Sequence, residues 1–205
     1  MIRLKRPPRW IKGIYSSFTW RFFVEQKTIF LTFDDGPDPE ITPFVLDLLK
    51  QYNWKATFFC VGENIKKNYP LYERILADGH TIGNHTMKHE KGTITSFEDY
   101  LNSFETFQTI HSTQLFRPPY GKMTPQQRHE IKRKSKIIMW SWLTYDFDLN
   151  YPTTQILKDA DNLKPGDIIV LHDNAKFKDR NFELFEKLFA KIKDLGFHST
   201  AIPSN

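Results

Sequence analysis

The sequence predicts an α/β fold: a distorted, incomplete (β/α) barrel of about seven parallel strands. Three observations predict it. Short apolar runs alternate with helix-like patterns along the 205 residues, and such alternation implies parallel strands joined by helical crossovers. The count stops one unit short of the common eight-fold barrel. Ionisable residues collect immediately after five of the strand patterns, at the carboxyl ends where such folds place their sites.

In chain order, Thr28-Ile29-Phe30-Leu31 reads as a buried strand running into Thr32-Phe33-Asp34-Asp35-Gly36-Pro37. A helix follows from Ile41 to Tyr52, with Ile41, Val45, Leu48 and Leu49 at helical spacing. Lys55–Cys60 is the second strand. Tyr69–Asp78 is a helix stopped by Gly79, and His80–Asn84 is a short third strand. Phe97–His111 is a helix. The fourth strand, Leu115–Arg117, is ended by Pro118-Pro119. A helix with proline at its start covers Pro125–Lys134, and the fifth strand covers Ile137–Trp142. Thr153–Leu163 is helical. Strand six, Ile168–Leu171, follows the turn Pro165-Gly166-Asp167. A last helix, Phe182–Leu195, ends at Gly196, and a last strand covers about Phe197–Ile202.

No Pro/Gly/Ser-rich linker and no repeat divides the chain, so residues 28–205 are expected to form one domain behind an N-terminal extension, residues 1–27. That extension carries Arg3, Lys5, Arg6, Arg9, Lys12, Arg21 and Lys27 against the single acid Glu25, interleaved with aromatic residues. It is expected either to pack on the domain, the favoured reading, or to lie on a membrane surface as a peripheral contact. Lys12 and Arg21 interrupt its apolar part, which argues against a signal peptide. No run approaches the roughly 20 apolar residues of a membrane span. These features favour a cytoplasmic or membrane-peripheral location. The formal net charge of +5 suits acidic partners but is too mild for nucleic acid, and no RNP-type or zinc-finger spacing is present. The one cysteine, Cys60, reads as a small core residue.

The chemistry starts from Asp34 and Asp35. Adjacent carboxylates repel, and a divalent cation on one of them leaves the other free as a base. A solvated Asp-Asp turn is the plain alternative. His85 and His89 are four residues apart and would share a metal if this segment formed a helical turn. With Asp35 they make a two-imidazole, one-carboxylate set suited to Zn²⁺, and also to Co²⁺ or Ni²⁺. Arg117 can hold Asp34 in bidentate fashion, or be a surface residue beside a rigid turn. His172, at the end of an apolar strand opposite this set, reads as a general acid.

These blocks together resemble the polysaccharide deacetylases of the NodB-homology class, carbohydrate esterase family 4, over about residues 28–202. The carrying motifs are Thr32-Phe33-Asp34-Asp35-Gly36, His85-Thr86-Met87-Lys88-His89, Arg117-Pro118-Pro119-Tyr120 and Leu171-His172. The fourth motif of the family is altered: after Trp140-Ser141, Leu143 replaces an Asp and Phe147 a Trp, while Asp146 remains. The resemblance implies that Asp34 is the general base, oriented by Arg117, and that Asp35, His85 and His89 hold the metal. It implies that the Tyr120 backbone N–H serves the oxyanion and that Leu171 and Phe147 line the acetyl pocket. His172 would be the acid and Asp146 its partner, with Asp148 as the rival for that role. The expected activity is removal of N-acetyl groups from peptidoglycan or a chitin-like oligosaccharide. Hydrolysis of another non-peptide C–N bond, in a small amide or an acylated lipid-linked sugar, is the alternative. A non-catalytic glycan-binding protein is the third reading, opposed by the complete set of polar groups.

Overall fold

The computed structural model describes residues 4–204. Its elements are, in order, α1 (Arg9–Ile14), β1 (Thr28–Asp34), α2 (Thr42–Gln51), β2 (Thr57–Cys60), α3 (Gly62–Lys67), α4 (Tyr69–Ala77), β3 (Thr81–Asn84), α5 (Phe97–Ile110), β4 (Leu115–Phe116), α6 (Pro125–Lys134), β5 (Lys136–Ile137), β6 (Trp142–Leu143), α7 (Thr153–Asp159), β7 (Ile168–His172), α8 (Lys178–Asp194) and β8 (His198–Ser199). The strands are parallel and run across the sheet as β5-β4-β3-β2-β1-β7-β6, with β8 on the start of β1. This is the expected incomplete barrel, curled around β1.

All seven residues of β1 are buried, because helices cover one face of the sheet and the barrel interior the other. Alternation still sorts them. Ile29, Leu31 and Phe33 join Phe58, Ile169 and Leu171 in the large core that packs under α2 and α8. Phe30 belongs instead to the interior cluster with Phe59, Leu115, Ile138, Ile168 and Ile202. Counting on by twos from Phe30 gives Thr32 and Asp34, so Asp34 stands on the interior face at the barrel mouth.

The helices form where their local chemistry asks. Thr124 and Gln127 make a reciprocal capping box with Pro125 at the first helical position, and the basic Lys132, Arg133 and Lys134 sit in the last turn of α6. In α8, Leu184, Phe185, Leu188, Phe189 and Ile192 form one buried stripe. Gly196, at φ 79°, ends it in a conformation that costs glycine little.

The fold differs from the sequence expectation at its seam. The single strand expected over Ile137–Trp142 is split: β5 pairs with β4, and β6 pairs with β7. The sheet therefore carries seven strands in one path, with β8 beside β1 as an eighth. The N-terminal segment enters at the split. Thr19 bridges to Ile138 and Arg21 to Asp167. Trp20 is buried against Tyr100, Phe104, Phe116 and Ile137, and Phe22 packs on Phe30 at 4.5 Å between ring centroids. Tryptophan and phenylalanine here replace the neighbouring strand that a closed barrel would supply. Trp10, Ile14 and Phe23 of the same segment are exposed. α3 adds a short helix to those the periodicity predicts, and α8 starts at Lys178 rather than Phe182. α7 ends at Asp159 and finishes as one 3-10 turn, Ala160–Asn162. No helix among the described residues is long and apolar enough to cross a membrane.

Candidate active site

Asp34 and Asp35 leave β1 at the carboxyl end of the sheet. Asp34 lies between Phe59 and His172 in the strand register. Asp35 turns out of the strand at φ 84°. This strained turn is held on every side. Asn64 Nδ2 donates to the Asp35 carbonyl at 2.8 Å, and the Gly36 N–H donates to Asp173 Oδ1 at 3.1 Å. Asp173 Oδ2 in turn accepts from Thr42 Oγ1 at 2.6 Å.

Arg117 is wholly buried and stacks over the Phe59 ring at 4.1 Å. Its Nη1 donates to Asp34 Oδ1 at 2.6 Å and to Thr32 Oγ1 at 2.7 Å. Nε and Nη2 donate to the carbonyls of Ile138 and Met139, both at 3.1 Å. The expected bidentate grip on Asp34 is thus replaced by a single contact. A fully buried guanidinium must satisfy its whole fork, and the split strand offers two carbonyls to do so. The second carboxylate oxygen of Asp34 is left for other work.

His85 and His89 do converge with Asp35, but not through a helical turn. The segment is a loop with left-handed residues at Thr86 (φ 64°) and His89 (φ 60°). The Asn84 side chain accepts from the Thr86 N–H, and the Met87 N–H donates to Ser103 Oγ. These bonds set the loop where helix hydrogen bonds would otherwise be needed. Asp35 Oδ1 lies 3.2 Å from His89 Nε2 and 3.7 Å from His85 Nε2, and the three donors fall within 4.8 Å of one another. His85 Nδ1 lies 2.7 Å from the Arg117 carbonyl, which can only accept, so Nδ1 carries the proton and Nε2 the lone pair. Burial, chiefly, lowers the His85 pKa to about 4 and keeps the ring neutral. Burial opposes charge on Asp35, yet the hydrogen bond with His89 and the nearby His172 and His85 hold its carboxyl below the usual range. A neutral imidazole lone pair aimed at an ionised carboxylate is repulsive without a cation between them. One carboxylate, two imidazoles and a backbone carbonyl orienting one ring form a donor set that fits a divalent metal.

On the other side of Asp34 stands His172. Its Nδ1 pairs with Asp146 Oδ1 at 2.8 Å, and its backbone N–H donates to Asp146 Oδ2 at 2.7 Å. Burial works against charge on this ring, but Asp146, then Asp35 and Asp34, push its pKa up to about 10. Phe147 meets the His172 ring edge-on at 4.9 Å. Asp148 faces elsewhere: its carboxylate accepts from the Asn150 N–H and its carbonyl from Arg180. Tyr120, at φ 59°, is largely exposed and covers His89 with ring centroids 4.6 Å apart.

Leu171 is not at the site. It pairs with Phe33 and lies in the core beneath the helices, with no exposure. Side chains alternate along a strand, so Val170, not Leu171, shares the face of His172. Sequence reasoning also missed the supporting residues. Asp173 holds the Asp35-Gly36 turn, Asn174 Nδ2 reaches Asp35 Oδ2 at 3.4 Å, and Asn181 donates to the His172 carbonyl at 3.2 Å. Asp173 directly follows His172, and that adjacency is a signal that could have found it. Asn181 comes from α8, where nothing in its neighbourhood marks it. A cavity of about 750 Å³ lined by His80, Ile82, Gln108 and Thr113 holds none of these groups. Donor chemistry rather than volume identifies the site.

Comparison with known proteins agrees with this geometry. Residues 24–136 match the family described as polysaccharide deacetylase. The chain is 34% identical over 192 residues to a peptidoglycan-N-acetylglucosamine deacetylase of Bacillus cereus, covering 90% of each chain. It is 30% identical over 197 residues to a chitooligosaccharide deacetylase of Sinorhizobium fredii, covering 87% of this chain and 91% of that one. The crystal structure of the Bc1960 peptidoglycan N-acetylglucosamine deacetylase superposes with a TM-score of 0.84 at 30% identity, over 94% of both chains. With the family's region matched over more than half its length and relatives of this similarity spanning nearly all of it, the chain belongs to the polysaccharide deacetylases, hydrolases of carbon–nitrogen bonds.

Proposed function

We propose that the protein removes N-acetyl groups from an N-acetylated glycan, with peptidoglycan the favoured substrate and chitin-like oligosaccharides next, and that it does so with one divalent metal ion. The observation that carries this is the meeting, at one barrel mouth, of the Asp35–His85–His89 donor set with an Arg117-held Asp34 on one side and an Asp146-held His172 on the other. The relatives named for peptidoglycan and chitooligosaccharide deacetylation supply the substrate class.

Asp35, His85 and His89 would hold the ion, Zn²⁺ by donor type, with Co²⁺ or Ni²⁺ also acceptable. When bound, such an ion acidifies water and polarises an amide carbonyl. The remaining work falls to side chains. Asp34 takes the proton of the attacking water at the carboxylate oxygen that Arg117 leaves free. The Tyr120 backbone N–H is offered to the developing oxyanion. His172, protonated and held through Nδ1, delivers a proton from Nε2 to the departing amine. Phe147 and Val170 give the acyl group an apolar wall. Phenylalanine brings no ring N–H donor, so this wall carries less polar character than an indole would.

The test is acetate release after chelation and reloading with Zn²⁺, Co²⁺ or Ni²⁺, measured on peptidoglycan, chitooligosaccharides and acetylated xylan. Metal-restored release from the first or second substrate is expected. No release from any of the three by the reloaded, folded protein would overturn the reading.

A further inference from the structure

We infer that a second site, for an oxyanion of the phosphate class, lies at the opposite end of the barrel. A cavity of about 570 Å³ opens there between the N-terminal segment and the start of β7. That volume falls in the range of small-molecule sites. Lys5, Arg6, Arg9, Lys12, Arg21 and Lys164 line it, against only two carboxylates, Asp159 and Asp167.

The two acids are already committed. Asp159 pairs with Lys5 at 2.9 Å. Asp167, almost wholly buried, spends Oδ1 on Arg21 at 2.7 Å and Oδ2 on Arg6 at 3.0 Å. Arg9, Lys12 and Lys164 have no carboxylate within ion-pair distance among the described residues. Two buried guanidinium donors, Arg6 Nη2 and Arg21 Nε, have no hydrogen-bond partner among the described residues. A buried charged donor left unpaired is costly, and an oxyanion in the cavity would relieve it. Burial, followed by the neighbouring Arg21, lowers the Lys12 pKa.

Asp167 immediately precedes β7, and His172 closes it. A five-residue strand spans about 16 Å, so an occupant here is not the acyl group at the barrel mouth. The chemistry that fits is an anionic phosphate, whether a soluble phosphoester or the headgroup of an anionic lipid.

The experiment uses the full chain and Arg9→Gln/Lys12→Gln/Lys164→Gln, which removes three cations that hold no ion pair among the described residues. Inorganic pyrophosphate is titrated calorimetrically at low and high salt, and sedimentation is measured with phosphatidylglycerol and with phosphatidylcholine vesicles. Saturable pyrophosphate binding is expected, weakened by salt and by at least about tenfold in the variant. The variant should keep its melting temperature and its acetate release from soluble oligosaccharides. Sedimentation with the anionic vesicles alone, lost in the variant, identifies a lipid headgroup as the source. Pyrophosphate binding without sedimentation identifies a soluble one. Absence of binding to both probes, or binding unchanged in the variant, overturns the inference.

Discussion

Asp146 grips His172 twice, taking its ring Nδ1 on one carboxylate oxygen at 2.8 Å and its backbone N–H on the other at 2.7 Å. The backbone bond fixes where the residue starts and the ring bond fixes where it points. Nε2 is then aimed by two constraints that share one carboxylate. With the pKa raised to about 10, the ring keeps its proton across the neutral range and can give it away as an acid.

Asp146→Asn should therefore move the alkaline limb of the pH–rate profile down by about 1–3 pH units, the usual effect of removing a close opposite charge. Asp148→Asn should leave that limb in place. The sign for stability follows from the same shift. The folded pKa lies above the unfolded value of about 6.5, so the contribution is complete below that pH and is lost as pH rises through about 10. Urea unfolding of the parent and of Asp146→Asn across this window checks it. A variant as pH-sensitive as the parent would remove Asp146 from the role.

Asp34→Asn should keep the metal and lose turnover by roughly 10²–10⁴-fold, the worth of a positioned base. Asp34 is tied to Arg117, while the neighbouring Asp35 faces the imidazoles. By contrast, Asp35→Asn, His85→Ala and His89→Ala should each lower bound metal. Elemental analysis beside acetate release separates the two groups. Metal loss in Asp34→Asn would mean that the paired acids exchange the roles of base and ligand.

Much of this site is legible in the sequence. Carboxylate pairs and His-x-x-x-His spacings are restricted in residue type by what metals and proton transfers require, so Asp34, Asp35, His85, His89, Arg117 and His172 stand out in a string of letters. What the string does not mark is of three kinds. The geometry of the histidine loop depends on Asn84 and Ser103, whose polar contacts carry no spacing rule. The face of Leu171 is hidden because β7 is apolar on both sides, so alternation leaves no polar mark until His172 itself. The split of the fifth strand depends on residues 19–22, more than a hundred positions away, inserting beside it. The helices are more legible because their amphipathic period and caps are local.

Gly36→Ala should destabilise the fold by about 1–3 kcal/mol and depress turnover with it. A methyl group at Gly36 would stand 2.1 Å from Asp173 Oδ2. Asp173 cannot step aside, because it is wholly buried and bonded to Thr42 and to the Gly36 N–H. Any relief must come from the turn that presents Asp34 and Asp35. Chemical unfolding and steady-state rates measure the two effects, and a variant with parental stability would show that the turn is looser than these contacts require.

The two faces of β7 supply a final test, since neighbouring residues on it should fail in different ways. Leu171 lies wholly in the core with Phe33 and the α8 side chains, so Leu171→Ala should cost about 2–5 kcal/mol of stability. It touches no reacting group, so the folded fraction should retain its KM for small acetylated oligosaccharides. Val170 lies on the interior face with His172, two residues before it and opposite Thr32. Val170→Leu adds a methylene on that face and should change the discrimination between N-acetyl and N-propionyl substrates, while Val170→Ala should relax it. One methylene in an apolar pocket is worth about 1–3 kcal/mol, or roughly 10–200-fold in kcat/KM. The readout is the ratio of kcat/KM for the two acyl groups, set beside the urea midpoint of each variant. If the ratio moves with Leu171 and stays constant with Val170, the acyl wall is on the helix-covered side and the two faces of β7 exchange their roles.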